Sequence, residues 1–311
     1  MRRKTTIDLR HVAVYVITMV CLMVILPVLA IRLFPVILEH EDQGPVYEGE
    51  IPKTVKVWIT EEEKYKTIPF EKYVQGVVAS EMPASFGAEA LKAQAVASRT
   101  YALGRINAGG KLCDTVHCQV YRSDNIPAKV KKAVNATKGQ VLLYNGKLAA
   151  HALYFASSAG KTENSQDVFS GEYAYLVSVD SSYEPGATHK KESLTMTISK
   201  FASKIKKAMP ELDFGKITKQ NIKIKSRSEG GRAALIQIGD QKVSGADVRS
   251  AFKLYSTRIK FAFRGNKITI TTSGSGHGVG MSQYGAKGLA KKGKSYTEIL
   301  SHYYQGTDVS R

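Results

Sequence analysis

FEKYVQGVVASEMPASFGAEALKAQAVASRTYAL, residues 70–103, decides the architecture of this chain. Apolar side chains at Phe70, Tyr73, Val74, Val77, Val78 and Met82 recur at three- and four-residue steps, which predicts a helix with one buried face. Pro69 suits a first turn, and Pro83 stops the pattern. The alanine-rich run at residues 88–103 predicts a second helix, closed by Gly104 or by Gly109-Gly110. On either side the pattern turns to β. Residues 54–59 (TVKVWI) read as a strand, and residues 140–144 and 147–154 flank Asn145-Gly146, a strong hairpin signal. Further strands are expected at residues 175–179, 222–225 and 233–238, with helices over 199–209, capped by Ser199, and over 244–255. A second hairpin joins residues 258–263 to 267–272 across Gly265-Asn266. There is no internal repeat and no regular βαβ alternation, so the expected class is α+β: a single mixed domain with several β-hairpins.

Upstream of this domain, residues 12–31 (VAVYVITMVCLMVILPVLAI) form an uncharged apolar run. About 20 such residues span a bilayer core. Arg2, Arg3, Lys4 and Arg10 precede it, while Glu39, Glu41 and Asp42 follow, which orients the N-terminus to the cytoplasm. A cleaved signal peptide is the rival reading, but its apolar core is shorter and no small-residue cleavage site follows here. The expected organisation is a cytoplasmic tail over residues 1–11, one transmembrane helix over 12–34, a proline-bracketed linker over 35–52 and an outward domain over 53–311.

Charge then acquires a location. The 311 residues hold 45 Lys and Arg against 27 Asp and Glu, a formal +18, of which residues 1–43 carry only +1. A basic domain outside a membrane suits anionic polymers and surfaces, and no nucleic acid is expected as a partner. Hydrophobic content of 43% excludes wholesale disorder, and three cysteines are too few for a disulfide-built scaffold. Residues 288–295 (GLAKKGKS) match the P-loop spelling, but a helix-like stretch precedes them and only 16 residues follow; they read as a lysine-rich helix end and turn.

Three clusters carry candidate chemistry. Glu81 falls in the last turn of the first predicted helix, where terminal carbonyls disfavour a carboxylate and should raise its pKa, as general acid catalysis requires. The second helix presents Gln94, Ser98 and Tyr101 on one face, with Arg99 beside them. Residues 274–285 (GSGHGVGMSQYG) hold five glycines around His277 and Gln283, a pattern of close backbone approach with two groups presented to a ligand. Finally, Cys113, His117 and Cys118 offer three ligands for a structural zinc, with a fourth to come from His151 or His189; a Cys113–Cys118 disulfide and two reduced thiols remain alternatives.

Together, residues 77–103, 137–169, 226–232, 248–258 and 273–293 resemble the stage II sporulation protein D family of peptidoglycan lytic transglycosylases from endospore-forming bacteria. The likeness covers essentially all of residues 54–308. It implies that Glu81 protonates the glycosidic oxygen between N-acetylmuramic acid and N-acetylglucosamine. The same carboxylate then takes the proton of the muramyl 6-hydroxyl, whose attack leaves a 1,6-anhydro end. It further implies that Arg99, Ser157, Ser158, His277 and Gln283 line the glycan groove beside Gln94, and that catalysis needs no cofactor. The implied substrate is glycan stripped of stem peptides, and the implied partners are stage II sporulation proteins P, an amidase, and M, a membrane scaffold. The implied setting is the mother-cell membrane, facing the intermembrane space, during engulfment. One departure stands out: Ala159-Gly160 follows the two serines where relatives often carry Gly-Gly. Because related domains act as amidase enhancers, a non-catalytic glycan-binding activator is the alternative function.

Overall fold

The computed structural model describes residues 47–310 together with Met19. The expected tail, the anchor and most of the linker lie outside the described residues. Among the described residues, no helix is long and apolar enough to cross a membrane. What is described is a mixed α+β architecture whose helices and short sheets surround two hydrophobic cores.

The first core grows around the stretch that opened the sequence. Strands β1 (Thr54–Ile59) and β2 (Lys64–Pro69) pair antiparallel and run straight into helix α1 (Phe70–Glu81), with Pro69 holding the extended cap position. Met82 is extended (φ −133°), as a residue before proline should be, so the helix stops with Glu81 as its last residue. Helix α2 (Ala88–Asn107) then passes through the middle of the core and packs on α1, on α3 (Ala128–Ala136), and on α6 (Gln283–Lys291) and α7 (Tyr296–Tyr303) from the far end of the chain. A helix enclosed on all sides has no amphipathic stripe, which explains why its alanines showed composition and no periodicity.

Of the two expected stops, Gly104 and Gly109-Gly110, the structure uses the second. The helix continues one turn to Asn107, because Gly104 is buried against Ala150, where a β-carbon would lie 2.4 Å from the Ala150 carbonyl oxygen. Gly109 (φ +73°) follows the true end.

Short strands complete this layer: β3 (Leu112–Cys113) parallel to β1, and β4 (Leu142–Tyr144) with β5 (Lys147–Leu148) across the expected Asn145-Gly146 turn, where both residues have positive φ. β5 is shorter than predicted, since the chain leaves it to form β6 (Tyr154–Phe155), and β7 (Gly160–Lys161) pairs with β8 (Asp180–Ser181). Residues 175–179 are irregular and form no strand; Thr162 still bonds Val179 through both its backbone and its hydroxyl.

The second core belongs to an insertion. Strand β9 (Glu192–Thr197) leads into α4 (Ile198–Ala208), capped by the Thr197 hydroxyl and not by Ser199 as expected. Strands β10 (Ile222–Arg227), β11 (Ala233–Ile238) and β12 (Gln241–Ser244) form one antiparallel sheet, followed by α5 (Gly245–Phe252) with a Ser244–Asp247 capping box. Strands β13 (Ile259–Arg264) and β14 (Lys267–Thr272) form the predicted second hairpin, and β9 pairs with β14. Phe201, Ile205, Phe214, Ile236, Val248, Phe252 and Ile268 fill the lobe. The chain then returns to the first core: β15 (Met281–Ser282) lies parallel to β6, α6 and α7 cover α2, and β16 (Thr307–Val309) pairs with β4. The P-loop look-alike is the end of α6, the turn at Gly293 and the Ser295 cap of α7, so it builds no phosphate loop.

Helix propensity and packing make opposite predictions at Gly104. Alanine in a helix interior normally gains about 1 kcal/mol over glycine. Because the space is occupied by Ala150 backbone, Gly104→Ala is expected to destabilise the fold by about 1–3 kcal/mol in denaturant unfolding.

Candidate active site

Glu81 ends α1 on the wall of a cleft of about 370 Å³. The cleft is walled by Tyr101, Gln119, Tyr154, Phe169 and His277, with His117 and Cys118 at one side. One Glu81 oxygen accepts the Val120 backbone N–H at 2.9 Å. Burial raises the Glu81 carboxyl above its ordinary 4.5, while the Val120 N–H and the neighbouring Gln283 amide pull the other way without cancelling it. The expected direction holds, but its main cause is desolvation and not the helix terminus.

Behind Glu81, the Gln283 amide donates to Gln94 Oε1 at 3.4 Å, and Gln94 donates to the Ser98 hydroxyl at 3.0 Å. Gln94 is fully buried and Gln283 nearly so, which makes them the backing of the acid and not its open wall. Gln119 joins this layer: its amide donates to the Tyr154 hydroxyl at 2.9 Å and its carbonyl accepts from Tyr73.

His277 lines the cleft with both ring nitrogens committed. Nε2 faces the Tyr154 carbonyl at 3.1 Å, and Nδ1 accepts the Val279 N–H at 3.2 Å, which sets the proton on Nε2. Burial, reinforced by the charge of Arg232, pushes its pKa down to about 4, so it is neutral at physiological pH. The surrounding glycines approach protein. A β-carbon on Gly278 would lie 2.7 Å from the Arg232 guanidinium, and one on Gly280 would lie 2.0 Å from the Leu153 carbonyl oxygen. The glycine-rich segment is therefore packed down onto the cleft floor with its histidine fixed.

Three expected groove residues sit elsewhere. Arg99 is fully buried; its Nε and Nη2 make a bidentate pair with Glu71 at 2.9 and 2.8 Å, and Nη1 donates to the Gln140 carbonyl. Ser157 and Ser158 are likewise buried. Ser157 exchanges backbone bonds with Ser275, and Ser158 donates its N–H to Glu184 and its hydroxyl to Ser181. Ala159 adopts a left-handed φ of +60°, so alanine at this glycine-favouring position costs about 1–2 kcal/mol.

The cysteine cluster forms as its spacing suggested. Cys113 Sγ, Cys118 Sγ and a His117 nitrogen lie within 4.8 Å of one another, with His117 Nδ1 at 3.8 and 3.7 Å from the two sulfurs. Both thiols are free. Burial opposes ionisation of Cys113, but bonds from Cys118, Thr115 and His117 outweigh it and bring the thiol to about 7, whereas burial lifts Cys118 to about 11. Among the described residues neither expected fourth ligand joins them: His151 stacks on Tyr173 and His189 on Tyr255. Two thiols and an imidazole fit three of the four positions of a zinc ion.

Tyr101 belongs to the helix face already marked with Gln94 and Ser98, whereas Gln119, Tyr154 and Phe169 were not singled out in advance as cleft-lining groups. Tyr154 and Phe169 lie inside the 137–169 stretch that carries the family resemblance, but nothing in the sequence marks Val120 as the donor to Glu81, because the donor is backbone.

A raised carboxyl pKa is also a stability statement. The folded protein holds the Glu81 proton more tightly than the unfolded chain, so this group's contribution is complete below pH 4.5 and is lost as pH rises through its folded value. Glu81→Gln, which keeps the shape without the charge, is expected to be more stable than wild type at pH 7. That gain should vanish below pH 4.5 in denaturant titrations. A constant difference across pH would show that Glu81 ionises freely.

The sequence profile described as "Stage II sporulation protein" matches residues 59–144, which span α1, α2 and the cysteine cluster. Stage II sporulation protein D of Bacillus amyloliquefaciens is 38% identical over 282 residues, covering 84% of this chain and 80% of that protein. The protein of the same name from Bacillus subtilis (strain 168) is 37% identical over 280 residues, covering 83% and 79%. The amidase enhancer of Bacillus subtilis (strain 168) is 34% identical over 285 residues, 76% of this chain but 40% of the enhancer. At this identity and coverage, the chain belongs to the stage II sporulation protein D family.

Proposed function

We propose that the protein is a peptidoglycan lytic transglycosylase that cleaves denuded glycan strands between N-acetylmuramic acid and N-acetylglucosamine. The observation that carries this reading is the cleft's single acid. Glu81 is half-buried with a raised pKa, and among the described cleft-lining residues there is no second carboxylate. Ordinary glycosidases place two carboxyl groups about 5–9.5 Å apart across the bond. One is enough when the substrate supplies its own nucleophile.

Protonated Glu81 would deliver its proton to the glycosidic oxygen as the bond breaks. The resulting carboxylate, bonded to the Val120 N–H, would accept the muramyl 6-hydroxyl proton while that oxygen closes on the anomeric carbon. The product is a 1,6-anhydro ring and a regenerated acid. Tyr101, Tyr154 and Phe169 offer the flat apolar surfaces that sugar rings pack against, and neutral His277 fixes the floor without contributing a proton. Cys113, His117 and Cys118 would hold a structural zinc that fastens the 113–120 segment, and with it the Val120 donor. The protein would act from the membrane during engulfment, with the amidase P and the scaffold M as partners.

A second reading is a glycan-binding activator of a cell-wall amidase, favoured by the likeness to the amidase enhancer. Full-length protein incubated with denuded strands separates the two: mass spectrometry should find anhydro-muramyl ends with wild type and at least about 100-fold fewer with Glu81→Gln. Bound but uncut strands would establish the activator instead. For the metal, protein purified without chelator should contain one zinc per chain, and Cys113→Ser should lose it together with thermal stability. Thiols that react only after reduction would assign a disulfide and remove zinc from the reading.

A further inference from the structure

The inserted lobe holds most of the charge. Residues 192–272 carry 17 Lys and Arg against six Asp and Glu, which is +11 of the formal +18 in about a quarter of the chain. At its root, facing the first core, lies a groove of about 670 Å³, larger than the Glu81 cleft and lined by a different set of residues. Lys190, Arg227, Arg258 and Lys260 line it, and Glu184 is its one acidic residue.

That carboxylate is not available to the cations. Glu184 accepts the backbone N–H groups of Ser158 and Ala159 at 2.7 and 3.0 Å and the hydroxyls of Ser181 and Ser282 at 3.3 and 2.5 Å. Among the described residues none of the four groove cations has a carboxylate partner within ion-pair distance. The guanidiniums are instead held by neutral carbonyls: Arg258 Nη1 donates to Gly230 at 2.7 Å, and Arg227 donates to Gly231 and Ile259 at 2.9 Å each. Arg258 lies flat against Gly160 and Gly231, at each of which a β-carbon would come within 3.3 Å of the guanidinium. The forks are thus oriented by neutral groups without a direct carboxylate pair, and the nearby Glu163 carboxylate acts on Arg258 only through space. Burial, together with the Arg258 charge, holds the Arg227 guanidinium below its ordinary value.

We propose that this groove is an anion site that takes the phosphodiester groups of an anionic polymer, which then runs on across the basic face of the lobe. A phosphodiester presents two non-bridging oxygens and one negative charge, so two forks and two ammonium groups match several successive phosphodiesters of a polymer and not one isolated anion. The site is independent of Glu81, so it holds the enzyme to its surroundings without entering the cleavage step.

The test is binding of full-length protein, in non-ionic detergent, to a soluble glycerol-phosphate oligomer, followed by calorimetry as salt is varied. The oligomer should bind with affinity falling as salt rises. The Lys190→Gln/Lys260→Gln double variant, which alters only exposed side chains, should bind about tenfold more weakly. Arg227→Lys/Arg258→Lys, which keeps charge but removes the forks, should also weaken binding while the melting temperature confirms folding, and Glu81→Gln should bind as wild type. Equal binding of poly-glutamate at matched charge, or unchanged affinity in both groove variants, would overturn the proposal. Variant-sensitive binding to phosphatidylglycerol vesicles without binding to the oligomer would assign the phosphate to a lipid and overturn the polymer.

Discussion

Arg99 fixes where everything else goes. Its guanidinium is fully buried on α2 and closes a bidentate pair with Glu71, in the first turn of α1, while also donating to the Gln140 carbonyl just before β4. A charge in that position, if left without its partner, costs about 3–5 kcal/mol. It therefore ties the start of α1 to the central helix and to the β4 layer together. Since α1 is one helix of twelve residues, fixing its start also constrains its end, and its end is Glu81. A residue expected in the groove turns out to set the position of the acid from the opposite end of the helix.

The acid is then tuned by two opposed influences of unequal size. Desolvation raises the carboxyl; the Val120 N–H and the Gln283 amide stabilise its ionised form. The proposed single-acid cleavage would require both, because the same carboxyl would have to hold a proton before the bond breaks and survive as an anion after it. His277 shows the complementary arrangement: with both nitrogens engaged it contributes shape but no charge. An imidazolium there would stabilise the Glu81 carboxylate and oppose protonation.

The sequence disclosed these features unevenly, for physical reasons. Helix α1, the Asn145-Gly146 turn, the Ser244 cap and the second hairpin follow from local rules, and they were legible. Helix α3 (AKVKKAVNA) was not: nine residues give too few turns to display a face, and only Val130, Ala133 and Val134 are buried. Residues 175–179 looked like a strand because buried irregular chain has the same apolar composition. At the site, Glu81, His277 and the cysteine cluster were visible as side-chain types in telling positions. Ser157, Ser158 and Arg99 look equally functional in sequence, yet each is consumed by an internal partner. Whether a polar side chain faces solvent or the interior is decided by contacts distant in sequence, which no local pattern encodes.

The distribution of charge resolves a conflict that composition alone poses. A protein with 45 Lys and Arg attracts polyanions, but cations near an acid depress its pKa and would disarm it. Among the described residues no lysine or arginine lines the Glu81 cleft, whereas the lobe groove has four. Screening by physiological salt limits exposed charges to a reach of about 8 Å. A lobe with a hydrophobic core of its own can therefore carry +11 without lowering the acid it accompanies. On this reading the insertion's core serves to keep attraction and acidity in separate places on one chain.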